Sequence, residues 1–317
     1  MATVWGLTRR QVYALDLESP LRGVRTVQPA ESLHARCAAA SLVLECHAFS
    51  HVTAARLHGL PLPRALDDDR RLHVMRDARD GAVRRENVVG HRGLLERDVV
   101  GLHGLAVVGL ADTWVDFGEL IRPGVPFGLD DLVVLGDAVA TTLGSVDPLH
   151  EALAARVRPR GKLTLLEALE WIRVGSESAG ETRTRLVLSR AGLPEPELNV
   201  PICSSTGRWL GRPDMRWPEQ RVLLEYQGRE FHDSEDQRAL DAVRFAGFEE
   251  DCWTVVATWN DDVNSDEARS RLVLRMADLL DRPVESLHLS EIHPRFFSTR
   301  MLQLAELRAR RLRHHGG

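Results

Sequence analysis

An apolar strand that ends in polar side chains is the feature that most restricts how this chain can fold. Residues 222–224 read Val-Leu-Leu, and Glu225 and Gln227 follow at alternate positions. A carboxylate at the end of a buried strand is costly unless it is paired or binds a metal. The pattern therefore predicts either that the strand end is exposed or that a cation lies beside Glu225.

The segment before this strand predicts a β-hairpin that brings a second carboxylate to Glu225. If the turn consists of the four residues Pro218–Arg221, Asp214 lies directly opposite Glu225; with a turn two residues shorter, the two are diagonal neighbours. In both registers Asp214, Glu225 and Gln227 share a face, because side chains alternate along a strand. Such oxygen ligands suit Mg²⁺ or Mn²⁺, and a divalent ion relieves the repulsion between two carboxylates.

The motif Ser178-Ala-Gly-Glu181 has two interpretations that do not exclude each other. A serine followed three residues later by a glutamate is the signature of a capping box at the start of a helix, which needs no catalytic role. Alternatively, Glu181 is a third acidic side chain of the site predicted at Asp214 and Glu225.

The order of the predicted elements indicates an α/β fold, with an N-terminal α+β domain followed by a mixed-sheet domain. Val157–Gly161 is the best linker candidate, because proline and glycine lie there among charged residues. We therefore expect three segments: 1–160, 161–285 and a basic tail over 286–317. In the C-terminal half, the patterns predict helices over Leu163–Val174, Ser176–Ala191 and Asp266–Leu280, and strands over 200–203, 209–216, 221–227 and 252–259.

The segment from about residue 175 to about residue 280 resembles the family called domain of unknown function 559, which is similar to very-short-patch-repair endonucleases of the PD-(D/E)xK superfamily. The resemblance is carried by Pro213-Asp214 in the PD position, Glu225-Tyr-Gln227 in the ExK position, Glu181 in the leading helix, and the segments Ser176–Arg185, Ala191–Pro196, Gly211–Pro218 and Cys252–Val256. It implies a restriction-endonuclease-like fold. It also implies a metal-dependent DNA endonuclease that hydrolyses phosphodiester bonds in repair or defence.

The same resemblance implies a role for each acidic residue. Asp214 and Glu225 would bind Mg²⁺ or Mn²⁺ together with the backbone carbonyl of Tyr226. Glu181 would hold a water ligand of the metal. A bound ion of this kind lowers the pKa of water and neutralises charge at the phosphate.

Two further residues are catalytic candidates by their position in the motif. Gln227 occupies the slot in which the superfamily often has lysine, so it can orient the attacking water but brings no charge to stabilise the transition state. His232 is a candidate general acid or base, and its alternative interpretation is an ordinary polar residue at the start of a helix.

Nearly all basic residues are arginines, since Lys162 is the only lysine among 41 basic residues. The net charge of −5 argues against a protein that coats nucleic acid over its whole surface, although it allows a local basic cleft. Some arginines near the predicted site are candidates for contacts to DNA phosphates, and the alternative is that they are solvated at strand edges. These arginines are Arg183, Arg212, Arg216 and Arg229.

The segments Arg22–Arg25, Phe49–Pro63 and Asp130–Asp137 resemble actinobacterial proteins related to the AbiEi-type antitoxins of abortive-infection systems. This resemblance implies an N-terminal domain for recognition or regulation and a toxin-type protein partner. A homodimer is the other candidate, because subunits with one site each need two chains to cut both DNA strands. The uncharged Gln227 in the lysine slot motivates an alternative function, a non-catalytic, antitoxin-like DNA-binding transcriptional regulator that retains a degenerate nuclease fold. Within this region we interpret Ser50 as a helix cap and His51 as a core histidine.

The four cysteines, at positions 37, 46, 203 and 252, form no CxxC pair, so neither a thiolate zinc site nor a disulfide framework is expected. The first 30 residues contain no apolar run of signal-peptide length, and no apolar stretch is long enough to cross a bilayer. We expect a cytoplasmic protein with DNA as its partner and no contact with a membrane.

Overall fold

The structure is a computed structural model that describes residues 17–204, 206–228 and 244–306. These residues form two compact units: the first lies within 1–126 and 151–161, and the second within 127–150 and 162–317. Helices and mixed sheets make up the fold, which confirms the predicted α/β class. The functional division into 1–160, 161–285 and 286–317 stays a prediction.

The first unit is built on a five-stranded mixed sheet. Its strands are β1 (His47–Phe49), β2 (Leu72–Arg76), β3 (Val88–Arg92), β4 (Val99–Leu102) and β5 (Leu105–Val108), in the order β3-β2-β1-β5-β4. Its helices are α1 (Leu33–Ser41), α2 (His51–Leu57), α3 (Arg64–Asp67) and α4 (Leu110–Asp116). Strand β1 is antiparallel to β2 and parallel to β5, so the buried Phe49, Val74 and Val107 lie side by side at the centre of the sheet.

The second unit contains a four-stranded sheet and a separate strand pair. Its strands are β6 (Glu197–Leu198), β7 (Ile202–Cys203), β8 (Trp209–Gly211), β9 (Met215–Trp217), β10 (Val222–Gln227) and β11 (Thr254–Trp259). The larger sheet has the order β11-β10-β9-β6, with β10 parallel to β11 and antiparallel to β9, and β7 pairs with β8. Both faces of β10 are covered, since Val222 and Leu224 belong to one apolar cluster and Leu223 to another, so all three are buried, as their unbroken apolar run indicates.

The remaining described helices are α5 (Leu129–Leu143), α6 (Asp147–Ala154), α7 (Lys162–Trp171), α8 (Ala179–Arg190), α9 (Asn260–Val263) and α10 (Asp266–Leu279), and residues 244–250 and 299–306 are also helical. Helix α5 packs against α7 and α8, with Leu132, Val133 and Leu135 fully buried. Within the ranges that the structure describes, no single helix is long and apolar enough to cross a membrane, and α5 with α6 meets that test only as a bent pair.

The sequence predicts one strand over 209–216, and this prediction is wrong. The segment is divided between two sheets, since β8 pairs with β7 whereas β9 pairs with β6 and β10. Arg212, Pro213 and Asp214 lie between β8 and β9. Proline has no N–H to donate to a sheet and its ring fixes the backbone φ angle, so the first strand ends before it. As a result, Asp214 directly precedes β9.

A buried ion pair joins α8 to α5 in the second unit. A guanidinium nitrogen of Arg185 donates to Oδ2 of Asp137 at 2.8 Å, and both side chains are almost completely buried. Thr182 donates to the same carboxylate oxygen at 2.8 Å, and Arg185 also donates to the carbonyl of Trp171 at 2.8 Å. Burial raises the pKa of Asp137, and the Arg185 charge opposes this shift. The Asp137 carboxylate and the terminal guanidinium nitrogens of Arg185 therefore have partners, whereas Nε of Arg185 is buried without a hydrogen bond.

Removal of the cation from this buried pair is expected to destabilise the second unit. In Arg185→Met the Asp137 carboxyl stays buried without its charged partner, a change that typically costs about 3–5 kcal/mol of unfolding free energy. The double variant Asp137→Asn/Arg185→Met removes both partners, so we expect it to lose less than the sum of the two single variants. Urea denaturation of the wild type and the three variants measures this coupling, and strictly additive losses would contradict it.

Candidate functional site

The hairpin formed by β9 and β10 places two carboxylates opposite each other. Leu224 pairs with Met215, so the next opposing positions are Glu225 and Asp214. This is the register that the four-residue turn predicts, and the diagonal alternative does not occur. Asp214 and Glu225 therefore occupy one end of a central, buried strand pair.

The Asp214 carboxyl lies in an unfavourable environment for a negative charge. Burial raises its pKa to about 8, and the charges of Glu181 and Glu225 act in the same direction. Its Oδ2 accepts a hydrogen bond from the backbone N–H of Tyr226 at 2.6 Å, which opposes part of this shift. Two neighbouring carboxylates thus add to the cost of a negative charge on Asp214 at this strand end.

Glu181 reaches the cluster from the first turn of α8. Ser178 is the N-cap residue, and its Oγ accepts from the backbone N–H of Glu181 at 3.1 Å. The Glu181 carboxylate is buried and accepts at 2.9 Å from the backbone N–H of Glu177 and at 2.9 Å from Nδ2 of Asn199. The serine half of the predicted capping box is therefore observed, whereas the glutamate is held by other donors.

Close packing between Gly180 and Tyr226 connects α8 to β10. The Tyr226 ring lies so near Gly180 that a β-carbon at this position would overlap it. Glycine is disfavoured inside a helix, so its presence in the first turn of α8 has a packing reason. The contact brings the turn that carries Glu181 against the strand that carries Glu225.

Arg244 provides a positive charge at Glu225. Its guanidinium donates to Oε2 of Glu225 at 3.2 Å and lies over the Phe245 ring, and the Glu225 side chain is buried. The sequence analysis missed this contact. The signal was present, since a carboxylate at the end of a buried strand requires a cationic partner, and arginine is the residue that most often supplies it in buried pairs.

The end of β10 also brings Gln227 beside Trp259. The two residues are paired in the parallel ladder between β10 and β11, and the Trp259 side chain is 45% exposed. Sequence analysis did not single out Trp259. Trp217, in contrast, is buried and donates from Nε1 to the carbonyl of Pro194 at 2.8 Å, so it has a packing role.

His232 and Arg229 lie outside the described residues, and their proposed roles stay predictions.

The candidate phosphate-binding arginines in the described part of the second unit all form ion pairs with carboxylates. Arg212 makes two bonds of 2.6 Å to Glu177, the most regular of these pairs. Partly exposed ion pairs contribute only about 0.2–1 kcal/mol, so a phosphate can compete with each carboxylate. The pairs are Arg183 with Asp131, Arg212 with Glu177, and Arg216 with Glu197.

Comparison with known proteins adds two relatives. No family model matches the chain, and no solved structure matches it. Two uncharacterized proteins from two strains of Mycobacterium tuberculosis are each 34% identical to this chain over 151 residues, which is 48% of this chain and 55% of each relative. The chain therefore spans about half the length of the curated relatives it matches.

The raised pKa of Asp214 predicts how stability changes with pH. The folded protein keeps this proton up to a pH of about 8, whereas the unfolded chain releases it near the ordinary value of 3.8. Because the folded state binds more protons between these values, the unfolding free energy falls as pH rises through the window. Asp214→Asn has no proton to lose.

We therefore expect the melting temperature of Asp214→Asn minus that of wild type to increase as the pH is raised from 3.8 to about 8. Differential scanning fluorimetry in the absence of divalent ions measures this difference. If the difference between the two proteins stays constant from the acidic to the alkaline end, the Asp214 carboxyl titrates normally.

Proposed function

We propose that the second unit is a metal-dependent endonuclease that acts on DNA, with Asp214 and Glu225 as ligands of Mg²⁺ or Mn²⁺. The convergence of Asp214, Glu225 and Glu181 supports this proposal. Burial and the charges of Glu181 and Glu225 raise the pKa of Asp214, and a divalent cation would relieve this repulsion. The donor set consists of oxygens, which suits a hard cation that keeps part of its water shell.

In this proposal each residue at the strand end has a separate task. Asp214 and Glu225 hold the cation together with the carbonyl of Tyr226, and Glu181 orients a water molecule from the first turn of α8. Gln227 positions the nucleophilic water through its amide. When bound, the ion lowers the pKa of water and neutralises charge at the phosphate.

Arg244 takes a role that Gln227 cannot fill. Gln227 occupies the position where the superfamily often has lysine, and it carries no charge. The Arg244 guanidinium lies at the same strand end, within 3.2 Å of Glu225. Guanidinium donors fit phosphate oxygens, so Arg244 would stabilise the negative charge that develops during cleavage.

Trp259 and the nearby arginines would hold the DNA strand. The exposed Trp259 ring lies beside Gln227, where it can stack on a base without reading the sequence. Arg183, Arg212 and Arg216 would exchange their carboxylate partners for phosphates. The first unit would supply target recognition or a surface for a partner, which is either a second copy of this chain or a toxin-type protein.

Cleavage that depends on both Glu225 and a divalent ion tests the proposal. Wild type, Glu225→Gln and Glu219→Gln are incubated with supercoiled, linear and single-stranded DNA in Mg²⁺, Mn²⁺ or a chelator. Glu219 is the matched control, because it is an exposed glutamate in the turn of the same hairpin. We expect wild type and Glu219→Gln to nick DNA only with the ion, and Glu225→Gln to be about 100-fold slower or worse. A Glu225→Gln protein that cuts as fast as wild type would exclude this mechanism.

One observation favours a second candidate function, a non-catalytic DNA-binding regulator that retains the nuclease fold. The Arg244 guanidinium already balances the charge of Glu225, and Gln227 brings no catalytic charge. This alternative predicts DNA binding that weakens with salt but does not change with a chelator or in Glu225→Gln. Fluorescence anisotropy with labelled DNA, measured on the same three proteins, distinguishes the two functions.

A further inference from the structure

Three histidines form a cluster in the first unit, and none of them belongs to the proposed nuclease site. His51 is the first residue of α2, His73 lies in β2 and His91 lies in β3. One nitrogen atom from each ring lies within 4.8 Å of the other two. The rings of His51 and His91 stack with centroids 3.5 Å apart, and Nδ1 of His73 is 3.0 Å from Nε2 of His91.

The backbone and the neighbour of His51 both hold its ring in this cluster. Its φ angle is 47°, in the left-handed region that non-glycine residues occupy at a cost, and such residues concentrate at functional sites. Ser50 occupies the N-cap position, but its side chain makes no capping hydrogen bond; its Oγ lies 3.1 Å from Nδ1 of His51. The predicted capping role of Ser50 is therefore wrong, because the hydroxyl binds the imidazole instead. The prediction that His51 is a core residue is confirmed.

Two ring nitrogens of the cluster have no hydrogen-bond partner in the described part of the chain. These are Nε2 of His51 and Nε2 of His73, and both side chains are more than nine-tenths buried. Buried polar atoms are rarely left unsatisfied in folded proteins. In the tautomer whose Nδ1–H donates to Ser50, the Nε2 of His51 presents a lone pair, which is the arrangement typical of a metal-binding histidine.

Glu119 adds a carboxylate oxygen to the three imidazoles. Its Oε2 lies 3.8 Å from Nε2 of His51 and 3.9 Å from Nδ1 of His91. Both separations are too long for hydrogen bonds. They are about 0.5 Å longer than the roughly 3.3 Å between ligand atoms that zinc bonds of about 2.0–2.1 Å give in a tetrahedron, so the proposed ligands would move closer together on binding.

We propose that the three histidines and Glu119 form a closed zinc site in the first unit. Three nitrogen donors and one carboxylate match the four-coordinate sites of Zn²⁺ and differ from the all-oxygen sets that bind Mg²⁺. The ligands come from α2, β2, β3 and the short 3₁₀ helix Phe117–Leu120. The ion cross-links these four segments, and because side chains fill all four positions, its role is to stabilise the first unit.

The test compares two histidines with the same backbone conformation. His51 and the exposed His103 have φ angles of 47° and 49°, which asparagine tolerates well. The full-length proteins are stripped with a chelator and titrated with Co²⁺, followed by visible absorption, and with Zn²⁺, followed by calorimetry. We expect wild type and His103→Asn to bind one ion per chain at this site, and His51→Asn to bind at least about 100-fold more weakly.

The variant Glu225→Gln shows whether the ion binds at this histidine site or at the carboxylate site of the second unit. That variant is expected to keep the intense absorption of four-coordinate Co²⁺, since none of the four proposed ligands is changed. A wild-type protein that does not bind the ion stoichiometrically, or a His51→Asn protein that binds as tightly as wild type, would overturn the proposal.

A second variant covers the case in which His51→Asn does not fold. The Glu119 side chain is 31% exposed, and glutamine keeps its shape. Zn²⁺ is expected to raise the melting temperature of wild type and of Glu225→Gln, and to raise that of Glu119→Gln much less. If Zn²⁺ raises the melting temperature of Glu119→Gln as much as that of wild type, Glu119 is not a ligand.

Arg160 offers a test in the opposite direction. Its guanidinium lies 3.6 Å from Glu119 Oε2, and its side chain is 76% exposed. This cation competes with a metal for the carboxylate, so Arg160→Gln is expected to bind Zn²⁺ more tightly than wild type. Weaker binding in Arg160→Gln would contradict the assignment of Glu119 as a ligand.

Discussion

The buried ion pair between Arg185 and Asp137 is the interaction on which the candidate site of the second unit depends. It fixes α8 against α5, and α8 carries Glu181 in its first turn. A buried pair of this kind contributes little net stability compared with an apolar contact, but it is strongly directional, and loss of one partner is costly. Its main effect is therefore to select one position of α8. The contact between Gly180 and Tyr226 then transmits that position to β10, where Glu225 lies.

Like charges distinguish the strand end from Asp137, a buried carboxylate of the same unit whose partner is an arginine. The apolar core of the second unit follows from the buried run of β10 and its neighbours, and such packing carries no charge. At Asp214, Glu181 and Glu225, by contrast, burial and like charges act together, and the Arg244 guanidinium supplies only part of the compensation. The two proposed functions differ in what balances the remaining negative charge. In a nuclease a divalent ion would balance it, whereas in a regulator Arg244 and protonation of Asp214 would do so.

Features set by local spacing could be predicted from the sequence, and features set by long-range contacts could not. The turn Pro218–Arg221 determines the hairpin register, so the pairing of Asp214 with Glu225 follows from counting residues. The prediction of one strand over 209–216 was wrong because it relied on the alternating pattern and gave too little weight to Pro213, which ends the first strand. The contact of Arg244 with Glu225 and the clustering of the three histidines were missed for a different reason. They come from segments far apart in the chain, and no spacing rule relates position 51 to positions 73, 91 and 119.

The position of α5 in the chain has a consequence for synthesis. Asp137 precedes Arg185 by 48 residues, so at ordinary translation rates the ribosome adds the arginine roughly 2–10 s after the aspartate. During that interval α5 has an apolar surface and a carboxylate that await α8. Leu132, Val133 and Leu135, which are buried in the folded protein, therefore lack α8 as a packing partner until both helices have left the ribosome.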